Sequence, residues 1–176
     1  SEIMPHDISL ALLEEMSPVG IILSGGPESV YEPEAPSLDS QILDSGIPIL
    51  GICYGMQWIN HTLGGGMIRS AEASKEYGET SIQIDLTSPL FQGLDSESLV
   101  WMSHGDSVDE SSLGAGMRVI ARSQHHVAAI SHFERPLYGV QFHPEVSHSS
   151  QGEAILNHFL CRVCQAKKNW TPSAFL

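Results

Sequence analysis

The sequence predicts an α/β fold with a mostly parallel central sheet, flanking helices and an additional antiparallel portion. In the first half, apolar strand-like runs alternate with helical stretches, an order typical of parallel sheets covered by helices. In the second half, short strand-like runs follow one another with few helices between them, which is typical of antiparallel pairing. A length of 176 residues suits one domain with a sizeable core.

The first half begins with weak signals and becomes more regular along the chain. The predicted elements are a strand remnant over residues 2–4, a helix over residues 10–16 capped by Asp7 or Ser9, a buried strand over residues 20–24, and a helix over residues 38–44 that ends at Gly46. An apolar strand over residues 47–50 and a helix over residues 56–63 come next. This alternation is the pattern from which we predict the parallel part of the sheet.

The second half is dominated by strand-like runs. We predict strands over residues 80–86, 99–103, 117–122, 127–132 and 137–142, and a final helix over about residues 151–165. Periodicity is lost beyond residue 166. We therefore interpret residues 1–166 as the domain and residues 167–176 as a linker.

A cysteine stands where a predicted strand meets a predicted helix, in the sequence Gly-Ile-Cys-Tyr-Gly. Glycines two residues before and after Cys53 remove the Cβ atoms that would clash at so sharp a junction, as in a nucleophile elbow. We expect the helix N-terminus to favour the thiolate and to lower the pKa of the Cys53 thiol. Taken alone, the pattern is equally consistent with a small buried core residue.

A histidine and a carboxylate follow the predicted strand over residues 137–142. A thiol nucleophile needs a base to take its proton, and the base needs a third group to hold its ring. His143 and Glu145 fit these roles, because residues i and i+2 of an extended segment project to the same side and Pro144 disfavours helix at the histidine. The alternative is a surface histidine beside a solvated glutamate. In combination with the elbow, the pattern favours a triad.

Charge and composition argue against several classes of function. The chain has 21 acidic and 8 basic residues, a formal net charge of −13, whereas nucleic-acid binding calls for basic patches. No apolar run approaches the length of a membrane span, and no basic segment precedes an apolar one as in a signal peptide. We therefore expect no nucleic acid and no membrane as partner, and a cytoplasmic protein.

The cysteines and histidines do not suggest a metal site or a disulfide framework. There are three cysteines, and a working thiol favours a reducing compartment. Cys161 and Cys164 form a C-x-x-C without a second pair at zinc-ligand spacing, so we interpret them as helix-packing residues. The remaining histidines are scattered along the chain without the spacing of metal ligands, so we predict no metal-binding residues.

Four segments together resemble the class I, triad-type glutamine amidotransferases. They are I-L-S-G-G-P-E-S-V at residues 22–30, G-I-C-Y-G-M-Q at residues 51–57, W-M-S-H-G-D at residues 101–106 and Y-G-V-Q-F-H-P-E at residues 138–145. The G-x-C-x-G and F-H-P-E pair marks the superfamily. Tyr54 after the cysteine and the S-H-G-D run resemble most closely the branch formed by the glutaminase domains of GMP synthetases.

The resemblance implies that Cys53 attacks the carboxamide of L-glutamine, with His143 as acid and base and Glu145 as the orienting carboxylate. Glutamine would be hydrolysed to glutamate and ammonia through a cysteine thioester. The other implied site residues are Gly26 and Tyr54, whose backbone N–H groups would form an oxyanion hole, and Gln57, Ser103, His104 and Asp106, which would bind glutamine. A structural role for His104 is at least as consistent with the sequence. Residues 75–78 are similar to a family segment near the active site, or form a solvated turn.

The same resemblance implies parts that the sequence does not contain. The first strand and helix of the family fold would precede Ser1, and we expect that strand to lie in the middle of the sheet, so that its absence leaves two buried edges unpaired. Residues 167–176 resemble a linker towards an ATP-pyrophosphatase synthetase domain. In the complete enzyme, a homodimer, ammonia would aminate ATP-activated XMP to give GMP. ATP and Mg²⁺ would belong to that second domain, and no cofactor is expected in this one.

Three other functions remain open from the sequence. The chain could serve anthranilate, carbamoyl phosphate or CTP synthesis, although Tyr54 and the S-H-G-D run argue against these pathways by resemblance. A second alternative is a stand-alone cysteine hydrolase of γ-glutamyl or peptide bonds, which would be active without a partner. A third is a regulatory binding domain with an idle triad, in which Cys53 would react with iodoacetamide no faster than Cys161 or Cys164.

Overall fold

The computed structural model describes residues 1–69 and 76–167. Its elements are, in chain order, α1 (Leu10–Met16), β1 (Ile21–Leu23), a 3₁₀ helix (Ser40–Asp44), β2 (Ile49–Ile52), α2 (Tyr54–Thr62), β3 (Met67–Arg69), β4 (Glu76–Ile84), β5 (Glu97–His104), β6 (Asp106–Val108), a second 3₁₀ helix (Glu110–Ser112), β7 (Met117–Arg122), β8 (Val127–His132), β9 (Leu137–Val140), α3 (Gly152–His158) and a π-helix (Phe159–Val163). None of these described helices is long and apolar enough to cross a membrane.

Seven strands form one mixed sheet in the order β1-β2-β9-β8-β7-β4-β5. The first three of these strands are parallel, and the pairs from β9 to β5 are antiparallel. Strands β3 and β6 form a separate antiparallel pair. The predicted fold class, a parallel sheet with an additional antiparallel portion, is confirmed.

The sheet is covered on both faces, and strand β2 shows why its sequence is apolar throughout. Ile49 belongs to the core on one face, together with Met56 and Ile59 of α2. Its neighbour Leu50 belongs to the core on the other face, together with Ile155 of α3. Successive side chains of a strand point to opposite faces, so a strand buried on both sides must be apolar at every position.

Several sequence-based expectations hold at the level of single residues. Ser9, one of the two predicted caps, accepts a hydrogen bond from the N–H of Leu12 and begins α1. Gly46 has a φ of 76°, a left-handed conformation that a glycine adopts without strain, and it follows the end of the first 3₁₀ helix. The chain therefore turns into β2 where the sequence predicted.

Other expectations were wrong. Residues 2–4 form no strand and are exposed, and the helix predicted over residues 38–44 is a single 3₁₀ helix of 5 residues. The pair β3–β6 was not predicted, because strands of 3 residues are too short to show periodicity. The last helix changes to a π-helix at Phe159. Most of the predicted linker, residues 168–176, lies outside the described residues.

The expectation of a gap in the middle of the sheet is also wrong. Strand β1 pairs with β2, and β2 pairs directly with β9, so the described strands form a continuous sheet. β1 is its terminal strand on the parallel side. Among residues 1–69 and 76–167, the outer edges of β1 and β5 have no neighbouring strand, and that of β5 is bonded by the segment after β9. A further parallel strand would therefore extend the sheet at its end rather than fill its centre.

Candidate active site

Cys53 occupies the sharp junction between β2 and α2. Its backbone has φ 50° and ψ −105°, a conformation that costs an L-residue on the order of 1–3 kcal/mol. A backbone hydrogen bond of 2.8 Å from its N–H to the carbonyl of Val140 holds it against β9. The side chain is 5% exposed and lies next to the start of a helix. The strand-turn-helix elbow predicted from the sequence is therefore present.

The glycines around Cys53 are required by close backbone contacts. A Cβ on Gly51 would lie 2.5 Å from the carbonyl oxygen of Gly55 and from the N atom of Met56. A Cβ on Gly55 would lie 2.5 Å from the carbonyl oxygen of Leu23 in β1. Real Cβ atoms do not approach backbone this closely, so the predicted reason for the G-x-C-x-G pattern is confirmed.

His143 and Glu145 form a hydrogen-bonded pair with 2.7 Å between Nδ1 and Oε1. A carboxylate can only accept, so Nδ1 carries the proton and Nε2 of the neutral ring is left as the basic nitrogen. The backbone of His143 is fixed on both sides. Its N–H donates to the carbonyl of Trp101 at 3.0 Å, and its carbonyl accepts the hydroxyl of Ser149 at 2.6 Å.

The histidine and the cysteine converge on Gly25. From the position that a Cβ of Gly25 would occupy, Cε1 of His143 is 3.1 Å away and Cβ of Cys53 is 3.5 Å away. The glycine loop after β1 thus allows the imidazole and the cysteine to approach each other. The structure brings the three predicted triad residues to one place; their catalytic roles stay a prediction.

The environment of the sulfur differs from the expectation. Burial raises the pKa of the Cys53 thiol above its ordinary value, and hydrogen bonds from the N–H of Tyr54 and the amide of Gln141 offset only part of that rise. The charge of Glu145 raises the pKa further. The predicted lowering by the helix N-terminus is therefore wrong in net direction, because a nearly buried thiolate loses more hydration than these donors replace.

A polar pocket of about 600 Å³ opens beside Cys53. Five of the predicted substrate-site and oxyanion residues line it: Gly26, Gln57, Ser103, His104 and Asp106. A larger, apolar cavity of about 870 Å³ lies between α1, β1 and the π-helix, but Cys53 does not line it, and His143 lines neither of the two. The smaller pocket is therefore the candidate active site, because Cys53 lines it.

The amide of Gln57 is engaged with protein groups. Its Nε2 donates to the backbone carbonyl of Asp106 at 3.0 Å and to Oε1 of Gln141 at 3.2 Å. The carboxylate of Asp106 accepts the hydroxyl of Ser29 at 2.7 Å, which ties it to the loop after β1. Both residues form the pocket wall, and their binding of glutamine stays a prediction.

His104 has protein groups at both ring nitrogens. Nδ1 lies 3.0 Å from the carbonyl of Asp106, and Nε2 lies 3.5 Å from Oε2 of Glu76, a separation of an ion pair rather than of a short hydrogen bond. Glu76 also accepts the hydroxyl of Ser123 at 2.7 Å. These contacts support the structural alternative for His104. Lys75, in the segment that resembles a family motif, lies outside the described residues.

Gly26 and Tyr54 lie side by side, as two oxyanion donors should. From the Cβ position of Gly26, the Cβ and Cγ atoms of Tyr54 are 3.8 and 3.7 Å away. The N–H of Tyr54 faces the sulfur of Cys53, and the phenol donates to the carbonyl of Pro36 at 2.5 Å. Their function as an oxyanion hole stays a prediction.

Sequence reasoning missed three residues that support the site: Ser29, Gln141 and Ser149. Gln141 is fully buried, and its side-chain amide contacts the sulfur of Cys53. The sequence does contain a signal for Gln141, because it is a polar residue within an apolar strand-like run. A polar side chain that is buried in such a run needs a hydrogen-bond partner. Ser29 and Ser149 gave no such signal, because serines in loops are common.

Comparisons with known proteins agree on one family. The sequence model of the glutamine amidotransferase class-I family matches residues 1–163. The GMP synthase [glutamine-hydrolyzing] of Thermosynechococcus vestitus is 46% identical over 177 residues, which is 100% of this chain and 32% of that protein. The protein of the same name from Streptococcus pyogenes serotype M49 is 46% identical over 178 residues, with 100% and 34% covered. The chain thus spans about a third of the length of these curated relatives.

Solved structures give the same result. A putative GMP synthase protein from Thermoplasma acidophilum superposes with a TM-score of 0.82 at 33% identity, covering 93% of this chain and 80% of that one. A glutamine amidotransferase from Thermotoga maritima shares the fold with a TM-score of 0.69 at 20% identity, covering 82% and 78%. The chain therefore belongs to the class-I glutamine amidotransferases, a family of enzymes.

Proposed function

We propose that this chain hydrolyses L-glutamine to glutamate and ammonia, with Cys53, His143 and Glu145 as the catalytic triad. The observation that carries the proposal is the convergence on Gly25 of Cys53, which lines a polar pocket of about 600 Å³, and His143, which is hydrogen-bonded to Glu145. Family membership supports the choice of an amide as the group attacked.

The first half of the reaction forms a thioester. Since the raised pKa keeps the resting Cys53 protonated, Nε2 of His143 takes the thiol proton as the sulfur attacks the side-chain carboxamide carbon. The carbonyl electron pair moves to oxygen, where the N–H groups of Gly26 and Tyr54 stabilise the charge. The pair then returns, the carbon–nitrogen bond breaks, and the imidazolium gives its proton to the departing ammonia.

The second half releases glutamate. Nε2 of His143 removes a proton from water, which attacks the thioester carbon. Collapse of the tetrahedral intermediate breaks the carbon–sulfur bond, and the sulfur regains its proton from the imidazolium. Glu145 holds the ring and stabilises its charged form through the 2.7 Å hydrogen bond at both stages. Gln57, Ser103 and Asp106 hold the amino-acid end of glutamine in this proposal, and His104 supports Asp106 from behind through its 3.0 Å contact with the Asp106 carbonyl.

We further propose that the ammonia serves GMP formation from XMP, in a complete enzyme with an ATP-pyrophosphatase synthetase part. The names of the relatives support this pathway over anthranilate, carbamoyl phosphate or CTP synthesis, as does their length, about three times that of this chain. ATP and Mg²⁺ would bind to the synthetase part, and the complete enzyme would be a homodimer. A cytoplasmic location is part of the proposal, because a thiol nucleophile needs a reducing compartment.

The test is Cys53→Ala in the complete enzyme. We expect glutamine-dependent GMP synthesis to be abolished, while synthesis from added ammonium salt stays intact, because only the ammonia source is removed. The measurement is GMP formation with each nitrogen donor. Cys161→Ala is the matched control and should leave both activities unchanged, since Cys161 lies on the π-helix away from the pocket.

Two outcomes would contradict the proposal. Loss of both activities in a folded Cys53→Ala enzyme would show that Cys53 is structural. Full glutaminase activity of the 176-residue chain, with no increase when the synthetase part and its substrates are supplied, would favour the stand-alone hydrolase instead. An amidotransferase domain is expected to be nearly silent until its synthetase is engaged.

A further inference from the structure

A chain of buried amides connects the wall of the pocket to the sulfur of Cys53. Gln141, which follows β9, is 0% exposed. Its Nε2 lies 3.5 Å from Sγ of Cys53, and its Oε1 lies 3.2 Å from Nε2 of Gln57. Nε2 of Gln57 also donates to the backbone carbonyl of Asp106 at 3.0 Å.

These contacts fix which end of the Gln141 amide faces the sulfur. A backbone carbonyl can only accept, so the atom of Gln57 that contacts Asp106 must be its nitrogen. The same nitrogen contacts Gln141, which must therefore present its oxygen to Gln57. The NH₂ group of Gln141 is left for Cys53, and turning either amide over would place two acceptors or two donors in contact.

The backbone holds Gln141 in this position. Its N–H donates to the carbonyl of Ala128 in β8 at 2.8 Å, and its neighbours Val140 and Phe142 are both fully buried. A side chain packed in this way has few alternative rotamers, so the donor stays aimed at the sulfur without an ordering cost in each reaction cycle.

We propose that Gln141 is a positioning residue that stabilises the thiolate of Cys53 by donating a hydrogen bond from its side-chain amide. The inference rests on the proposed role of Cys53 as the nucleophile. The neutral thiol can donate to the carbonyl of Ser103, 3.8 Å away, and the thiolate that replaces it needs donors. Gln141 supplies one of them, and Gln57 and Asp106, which line the pocket, hold it in place.

Gln141 differs from the charged groups around the sulfur because it does not titrate. The ionisable groups around Cys53 are His143 and Glu145 on the segment after β9, and those that line the pocket, namely Glu28, Glu32, Arg69, Tyr77, His104 and Asp106. Glu145 opposes the thiolate, whereas the Gln141 amide favours it at every pH. Removal of the amide therefore shifts the titration of Cys53 without removing a titrating group.

The test is the pH dependence of iodoacetamide alkylation of Cys53 in the complete enzyme, followed by mass spectrometry of the Cys53 peptide. Gln141→Met keeps the length of the side chain but removes the donor. We expect the apparent pKa of the Cys53 thiol to rise and the alkylation rate at neutral pH to fall roughly tenfold. This factor corresponds to the lower end of the range of free energies that a hydrogen bond to a charged group contributes.

Gln141→Glu is a second variant, which keeps the shape and the acceptor for Gln57. It places a carboxylate oxygen against the sulfur, so we expect a larger rise of the apparent pKa than in Gln141→Met. Asn60→Leu is the matched control, because Asn60 is a fully buried amide of α2 that bonds Gly66 and Gly114. It should lower the melting temperature and leave the Cys53 profile unchanged.

The outcomes separate this inference from the proposed function. If wild-type Cys53 reacts no faster than the buried Cys164, the proposed function fails. If Cys53 is reactive and both Gln141 variants keep the wild-type profile, the positioning role is overturned and the proposed function stands. Failure of both variants to fold would also overturn it, in favour of a purely structural Gln141.

Discussion

At Cys53, burial and hydrogen bonding act on the thiol in opposite directions. Burial dominates and raises the pKa, so the resting side chain is a protonated thiol rather than a preformed thiolate. In the proposed reaction the proton moves to His143 during the attack, so that reaction requires a fixed orientation of the His143 ring. The 2.7 Å contact with Glu145 and the bonds from His143 to Trp101 and Ser149 supply this orientation.

Substitution of the triad residues should reveal their different roles. In the complete enzyme, His143→Ala should abolish glutamine-dependent activity as Cys53→Ala does. Glu145→Ala should retain roughly a hundredfold more residual activity, because the orienting member contributes less than the nucleophile or the base. Steady-state glutaminase rates measure both, with ammonium-dependent synthesis as the internal control. Equal losses in all three variants would mean that Glu145 does more than orient His143.

Cys53 at the elbow and Cys164 in the core should differ in their rates of alkylation by iodoacetamide. Burial raises the pKa of Cys164 to about 11, and Gly20 covers its sulfur. Cys53 faces a pocket and has two donors at its sulfur, so iodoacetamide should label it first. Both rates should increase with pH up to the raised pKa of each thiol. Peptide mapping at a series of pH values measures the order, and faster labelling of Cys164 would contradict the site assignment.

Glu76 should contribute a pH-dependent part of the stability. Burial alone would raise the pKa of the Glu76 carboxyl, but the nearby His104 and His126 imidazoles and the hydroxyl that Ser123 donates lower it below its ordinary value. A lowered folded-state pKa stabilises the protein above the unfolded value and loses this effect as the pH falls through the folded value. Glu76→Gln should therefore lower the free energy of unfolding by about 1 kcal/mol at neutral pH and by less below pH 4.5.

Denaturant unfolding at several pH values measures this difference. Glu79→Gln is the matched control, because Glu79 is an exposed residue of the same strand, and it should leave the stability unchanged. If Glu76→Gln lowers the free energy of unfolding by the same amount at acid and at neutral pH, the effect is one of packing rather than of charge.

Among the secondary-structure elements, the site depends on the carboxyl ends of the three parallel strands β1, β2 and β9. β2 and β9 lie side by side and in parallel, so Cys53 and His143 leave the sheet at the same edge. The loop after β1 brings Gly25 to that edge as well. The segment after β9 crosses the outer edge of β5, where Trp101 and Leu99 bond residues 143, 149 and 150. The same contacts position the histidine and cover that edge of the sheet.

Gly55→Ala tests the elbow. The added methyl group would lie 2.5 Å from the carbonyl of Leu23, so β1 and α2 must separate, at a cost of about 1–3 kcal/mol. We expect a lower melting temperature and loss of glutaminase activity. In the control Gly66→Ala, the nearest atoms are those of the Ser112 side chain, 3.2 Å away, which can move. Equal effects of the two changes would contradict the close-contact explanation.

At the scale of the whole molecule, the two ends of the sheet differ. The outer edge of β5 is covered by the segment after β9, whereas no described strand or segment bonds the outer edge of β1. Exposed apolar side chains, Ile22 at 45%, Val19 at 62% and Leu160 at 42%, surround the end at β1 and the cavity of about 870 Å³. An open edge with apolar surroundings favours pairing with another chain.

The isolated 176-residue chain should therefore self-associate through β1. Ile22→Lys should reduce this association, because a lysine on an edge strand opposes pairing. Leu99→Lys is the matched control: Leu99 is 50% exposed but lies on the covered strand β5, so its replacement should have little effect. Sedimentation velocity at increasing concentration measures both. Equal effects of the two lysines would point to general hydrophobic association or to the reduced negative charge.

The mixed α/β fold, the cysteine elbow and the three residues proposed as a triad could be predicted from the sequence, because strand and helix periods, glycines and motif spacing are local properties. The sequence could not determine that β1 ends the sheet, since strand order depends on contacts between distant segments. It also gave the wrong direction for the pKa of Cys53, and it missed the partner that Gln141 provides. Burial and hydrogen bonding at the sulfur arise only when β9, α2 and the segment near Asp106 pack together, so the protonation of Cys53 depends on tertiary contacts.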